Sequence, residues 1–279
     1  MAAESALKRE QAGLPRNEGV LVEERELFGV RFSNLDFDDL CRWLDARTAC
    51  RTPGFVVTPN VDHVCRLKKD AEFREAYARA ALRLPDGVPL MWCARLLGSP
   101  LREKLSGSDL VPRVSAYAAE KGYRVFFLGA ADGVAEEAAA KLREKHPALQ
   151  VAGWFSPPFG FERDALQCRE IVERVRESGA DLCFVAFGSP KQEIWLSQHA
   201  EATEVPVCIG IGAALDFVSG HVRRAPTWVQ RIGCEWVWRI AQEPRRLWRR
   251  YILEDSYFVI LFLREIVRRG RGREKRREP

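Results

Sequence analysis

Phe55-Val56-Val57-Thr58-Pro59-Asn60 is a short apolar run that ends on polar residues, with a helix-forming stretch behind it. Leu82-Arg83-Leu84-Pro85-Asp86-Gly87 repeats the pattern. Short apolar runs bounded by turn residues read as buried strands. Three similar units follow: Arg124 to Leu128 runs into Gly129, Asp181 to Phe187 into Gly188, and Val205 to Ile209 into Gly210. Strands alternating with helices predict an α/β fold, a Rossmann-like, mostly parallel sheet flanked by helices. Ligands of such sheets sit at the carboxyl ends of the strands. Thr58, Asn60 and Asp86 should therefore face one spot, and the active site is expected there.

Between these runs the pattern predicts a short strand over Phe28 to Phe32 and a helix from Leu35 to Ala46 capped by Asn34. Asp62 to Ala80 reads as one helix. Another begins near Val88, and a third opens at Ser108-Asp109 and ends at Gly122. Residues 1–25 alternate charges with small residues and read as a disordered leader without the apolar core of a signal peptide.

With 279 residues and 47% hydrophobic content the chain can bury a large core. The sequence suggests a catalytic domain over 26–222 and a helical, basic appendage over 223–279. From His221 onward there are 16 Lys/Arg against 7 Asp/Glu, a balance of +9 in a chain of net +5, so the first 220 residues carry −4. A basic tail on a mildly acidic body is expected to meet an anionic surface, membrane or nucleic acid. Trp228, Ile232 and Trp236 recur every four residues, as on the apolar stripe of a helix from Thr227 to Gln242. Pro244 should divide that helix from a second one over Arg245 to Arg268. Tyr257 to Leu263 is too short to span a bilayer, so it should lie on the membrane or pack on the body.

The eight cysteines show no C-x-x-C pair and no Cys/His ligand spacing, which argues against a structural zinc site and a disulfide framework. A cytoplasmic protein is expected. Gly210-x-Gly212 lacks the third glycine of a dinucleotide fingerprint, and no acidic ribose ligand follows. Asp36-x-Asp38 looks like a metal-binding DxD, but a helix N-terminus explains it better. Ser189 lacks the frame of a hydrolase elbow, because Lys191 stands where glycine is required. Asp86 and the Thr58/Asn60 pair each have an innocent reading as turn residues. Only their convergence raises them to a site.

Further motifs join these: Ser106-Gly-Ser-Asp-Leu110, Gly188-Ser-Pro-Lys-Gln-Glu193, Gly210-Ile-Gly-Ala-Ala-Leu-Asp-Phe217, Arg224-Ala-Pro226, Gly233-Cys-Glu-Trp236 and Glu243-Pro-Arg-Arg-Leu247. In this order, and over about residues 28 to 255, the chain resembles the WecG/TagA/CpsF glycosyltransferases (glycosyltransferase family 26). The resemblance implies an inverting transfer, without metal or other cofactor, from a UDP-sugar donor to a polyprenyl-diphosphate-linked sugar. The implied setting is the inner face of the cytoplasmic membrane, in cell-surface polysaccharide synthesis. It implies that Asp86 is the general base and that Thr58 and Asn60 line the donor pocket. Gln192 would contact the donor and Asp216 hold the nucleoside. Arg239, Arg246 and Arg249 would close over phosphate. Lys104 stands where the family usually has arginine, keeping the charge but not the bidentate fork. A homodimer is left open. The competing readings are a basic nucleic-acid-binding protein and a nucleotide enzyme of another class, such as a dehydrogenase or methyltransferase.

Overall fold

A computed structural model describes residues 22–242, 244 and 256–274. Its centre is a parallel six-stranded sheet: β3 (Phe55–Val57), β4 (Leu82–Arg83), β5 (Arg124–Gly129), β6 (Gln150–Phe155), β7 (Leu182–Ala186) and β8 (Val207–Gly210), in the order β4-β3-β8-β7-β5-β6. The expected fold class is the observed one. Side chains alternate between two cores, as the period-2 geometry of strands requires. Phe126 and Leu128 enter one core while Val125 and Phe127 enter the other.

A two-stranded antiparallel hairpin, β1 (Glu24–Leu27) and β2 (Val30–Ser33), precedes the sheet. This corrects two expectations. The leader does not extend to residue 25, since Glu24 and Arg25 are already strand, and residues 1–21 lie outside the described residues. Phe28 and Gly29 are the hairpin turn rather than strand, both at positive φ. Arg83 of β4 donates its backbone N–H to Ser33 Oγ at 3.0 Å and its guanidinium to Arg31 O at 2.9 Å, so the hairpin covers the β4 edge.

One face of the sheet carries α1 (Phe37–Cys50), α5 (Gly107–Lys121), α6 (Val134–Lys145) and α9 (Ala214–Ser219). The other carries α2 (Val61–Arg66), α3 (Ala71–Arg79), α4 (Val88–Leu96), α7 (Ala165–Glu177) and α8 (Lys191–His199). α1 is capped by Asp36, not Asn34: Asp36 and Asp39 form a reciprocal capping box. Asn34 instead accepts from Arg102 N and donates to Glu23. The single helix expected over Asp62 to Ala80 is two, because Asp70 caps a fresh start through Phe73 N at 3.0 Å.

Past Gly220 three helices are described: α10 (Thr227–Arg231), α11 (Glu235–Gln242) and α12 (Tyr257–Glu274). The continuous helix expected over Thr227 to Gln242 is broken at Gly233, whose φ of +67° suits glycine. Trp228, Ile232 and Trp236 therefore do not share one helix face, and all three are exposed. Pro244 is helical, but residues 243 and 245–255, on which the boundary expected there and the start at Arg245 depend, lie outside the described residues. α12 packs on the body through buried Phe258 and Leu261. Among the described residues no helix is long and apolar enough to cross a membrane.

Candidate active site

The carboxyl ends of β3, β4, β7 and β8 open into one cleft of about 380 Å³. Thr58, Asn60, Asp86, Lys104 and Gln192 all line it, as does Arg239 of α11. The strand-end convergence expected from sequence is observed, with an edge supplied by the C-terminal helices.

β4 is only two residues long, and its backbone continues along β3 beyond the formal strand. Leu84 N bonds Val57 O and Asp86 N bonds Pro59 O, each at 2.9 Å. These bonds fix Asp86 beside the Thr58-Pro59-Asn60 segment. Among the described residues, none donates a hydrogen bond to its carboxylate. One side of it borders the cleft and the rest is enclosed by protein. That enclosure pushes its pKa up to about 6, with Glu235 and Asp109 adding to the rise and Lys104 and Arg239 opposing it. A carboxylate with this pKa, accessible and unbonded, is suited to accept a proton near neutral pH.

The neighbouring wall is a charged cluster. Lys104 Nζ is paired with Asp109 and reaches Ser106 Oγ at 3.2 Å. Ser106 Oγ donates to Asp109 at 2.6 Å, and Arg224 Nη2 donates to the other Asp109 oxygen at 2.5 Å. Arg224 Nε also lies 3.5 Å from Glu235. Burial alone would raise the Asp109 pKa, but its bonds with Lys104, Ser106 and Arg224 bring it down to about 2. Asp109 is thus an anion holding two cations, of which Lys104 lines the cleft. Sequence reading gave Asp109, Arg224 and Glu235 no role, although all three stand inside the quoted motifs. The clustering of those motifs was the available signal.

Other site residues are spent on architecture. Thr58 Oγ1 donates to Gly210 O at 3.2 Å, tying the ends of β3 and β8 together. Asn60 caps α2 by accepting from His63 N at 3.1 Å. Gln192 is buried. Its Oε1 accepts from Gly212 N at 2.9 Å and its Nε2 donates to Glu193 at 2.9 Å. It braces the loop after β8 against α8, and the fully buried Glu193 beside it has its pKa raised by burial to about 7. Asp216 lies in α9 and does not line the cleft, whereas its neighbour Phe217 does. Arg239 stands 5.7 Å over the Phe217 ring. Arg246 and Arg249 fall outside the described residues. No group of three or more His, Cys, Asp or Glu suited to a metal ion occurs among the described residues.

A parallel α/β sheet with a poised carboxylate and a cationic cluster at its strand-end crevice defines an α/β enzyme. Residues 25–272 match the family model described as the Glycosyl transferase WecG/TagA/CpsF family. The chain belongs to that family and is a glycosyltransferase. It is 30% identical over 212 residues to the N-acetylglucosaminyldiphosphoundecaprenol N-acetyl-beta-D-mannosaminyltransferase of Bacillus spizizenii, across 76% of this chain and 80% of that one. A protein of the same name from Bacillus subtilis is 24% identical over 245 residues, across 88% and 93% of the two chains.

Proposed function

We propose that this glycosyltransferase moves a sugar from a UDP-sugar onto a polyprenyl-diphosphate-linked saccharide, in one inverting displacement and without a metal. The acceptor class is supported by the names of the two relatives. The observation that carries the reading is Asp86: a carboxylate without a hydrogen bond from any described residue, bordering the cleft that Lys104 and Arg239 also line.

In this mechanism the acceptor hydroxyl gives its proton to Asp86 as its oxygen attacks the anomeric carbon. The bond from that carbon to the diphosphate oxygen breaks, and its electron pair leaves with UDP. One displacement from the opposite face inverts the anomeric centre and needs no second carboxylate. Lys104 and Arg239 neutralise the departing diphosphate, and Arg246 and Arg249 are assigned the same task. Thr58, Asn60 and Gln192 keep the strand ends and loops in place around the donor.

Residues 223–279 are proposed as a membrane-associating appendage on the inner face of the cytoplasmic membrane. The exposed Trp228 and Trp236 and the basic tail support this. α12 nevertheless supplies Phe258 to both core and cleft. Removing everything past residue 222 therefore takes away part of the site as well as the tail.

The test is UDP release from a panel of UDP-sugars, with and without a short-chain polyprenyl-diphosphate-linked N-acetylglucosamine acceptor. Acceptor-dependent release with at least one donor is expected. Release that ignores the acceptor for every donor would sink the reading.

A further inference from the structure

A second cavity of about 320 Å³ is lined by Gly29, Lys68, Arg31, Arg74 and Arg83. Arg83 is buried and its donors are used. They go to Arg31 O, Tyr77 O, Ala80 O and the Glu24 carboxylate, at 2.7–3.0 Å. Glu24 also faces Arg31 at 3.5 Å, so one carboxylate is shared by two guanidinium groups. Lys68 donates its backbone N–H to Cys65 O at 3.2 Å, and its Nζ has no ion-pair or hydrogen-bond partner among the described residues. Arg74 spends Nη1 on Leu67 O at 3.0 Å, which holds its guanidinium on the cavity wall with other N–H groups to spare. Gly29 makes the room: a Cβ there would stand 2.9 Å from Lys68 Nζ.

Cations gathered around one void repel each other unless an anion joins them. A tetrahedral phosphate accepts hydrogen bonds from several directions at once, which suits donors on three different segments. The cavity also lies next to an apolar surface. Phe28, beside Gly29, packs its ring 4.9 Å from that of Phe258, and Lys69, beside Lys68, stands 4.8 Å over Tyr257. Both partners belong to the first turn of α12, whose Val259, Ile260, Leu263 and Val267 are exposed. Phe258 also borders the catalytic cleft.

We infer that this cavity binds the headgroup phosphate of an anionic phospholipid, with the acyl region against the exposed apolar side chains of α12. Only the source of the phosphate rests on the membrane association proposed above. Phosphate taken there and apolar contact along α12 hold the catalytic cleft mouth at the lipid surface, where a lipid-linked acceptor is found.

The experiment is co-sedimentation of the full chain with phosphatidylcholine vesicles, with and without phosphatidylglycerol. It compares wild type, the double variant K68Q/R74Q, and the charge-matched R143Q/K145Q on α6, on the opposite face of the sheet. Each basic side chain close to an anionic surface is worth several-fold in binding. K68Q/R74Q should lose about tenfold or more in affinity for the phosphatidylglycerol vesicles, and R143Q/K145Q should lose far less. Because Lys68 and Arg74 are exposed and outside the catalytic cleft, transfer to a short-chain soluble acceptor should be unchanged. That readout separates failure here from failure of the enzymatic reading. Equal losses in the two variants, or no binding by wild type, would overturn the inference. Inorganic phosphate that binds the cavity while vesicles bind equally well without it would overturn the lipid as its source.

Discussion

Arg224 donates to Asp109 across 2.5 Å, a bond that joins the start of the C-terminal region to the helix beginning at Gly107. The same carboxylate holds Lys104 on its other oxygen. One carboxylate therefore holds both Arg224 and Lys104, and Lys104 lines the same cleft as Asp86.

Asp86→Asn keeps the shape and removes the proposed base. General-base assistance is worth about 10²–10⁴ in rate, so kcat should fall at least about a hundredfold with UDP affinity nearly intact. Steady-state UDP release together with UDP titration measures both. Full activity would remove Asp86 from the mechanism.

The raised pKa of Asp86 sets two pH dependences of opposite sense. As the proposed base, Asp86 works only when ionised, so kcat/KM should climb as pH rises through about 6 and then level off. For stability the sign reverses. Between the ordinary 3.8 and about 6 the folded state holds the proton that the unfolded chain has released, so stability falls as pH rises through that window. Asp86→Asn should therefore melt higher than wild type at pH 8 while being nearly inactive, a combination that thermal denaturation would reveal.

Asp109→Asn should cost about 1–3 kcal/mol, since charge-assisted bonds to Lys104 and Arg224 weaken together. The Asp109 pKa is depressed, so its stabilisation is present above about 4 and fades as pH falls toward 2. Urea midpoints of wild type and variant should accordingly converge in acid. A constant gap from pH 6 to pH 2 would contradict the assignment.

Gly107→Ala probes the packing of α5 against the loop after β8. A Cβ at residue 107 would meet Ile211 O at 2.4 Å and Ile211 Cα at 2.8 Å, both backbone atoms that cannot rotate away. Overpacking of this kind costs about 1–3 kcal/mol. Urea unfolding should show the loss, and the displaced Ile211-Gly212 segment should raise KM for the donor.

Chelation tests the metal-free mechanism. EDTA, followed by gel filtration, should leave the initial rate unchanged, and Mg²⁺ or Mn²⁺ should not raise it. A rate that collapses and returns with one of these ions would refute metal independence.

The parts of this molecule written in local pattern were readable from sequence. The buried strands announce themselves because both faces of a parallel sheet are covered, and Asp86 stands out because such a strand stops on it. β6 was missed for a physical reason. Its residues Gln150–Phe155 are only half-buried, and Gly153 lies against the Phe126 ring where a Cβ would come within 2.8 Å. Arg83 was hidden differently: inside an apolar run its charge is met by the Glu24 carboxylate and by backbone carbonyls, and no local pattern reports that. The placement of Thr58, Asn60 and Gln192 on one cleft was legible. What their polar atoms bond to depends on chain neighbours up to 152 residues away.

The hairpin over β4 has a consequence for handling the protein. An outer strand without a neighbour offers its amides and carbonyls to any other chain, a route to fibres and precipitates. Here residues 24–33 occupy that flank, fastened by Arg83 to Glu24 and Ser33. Trimming the N-terminus up to residue 21 spares this shield, whereas a cut reaching residue 34 would strip it and lay the β4 flank open to strand pairing with other chains.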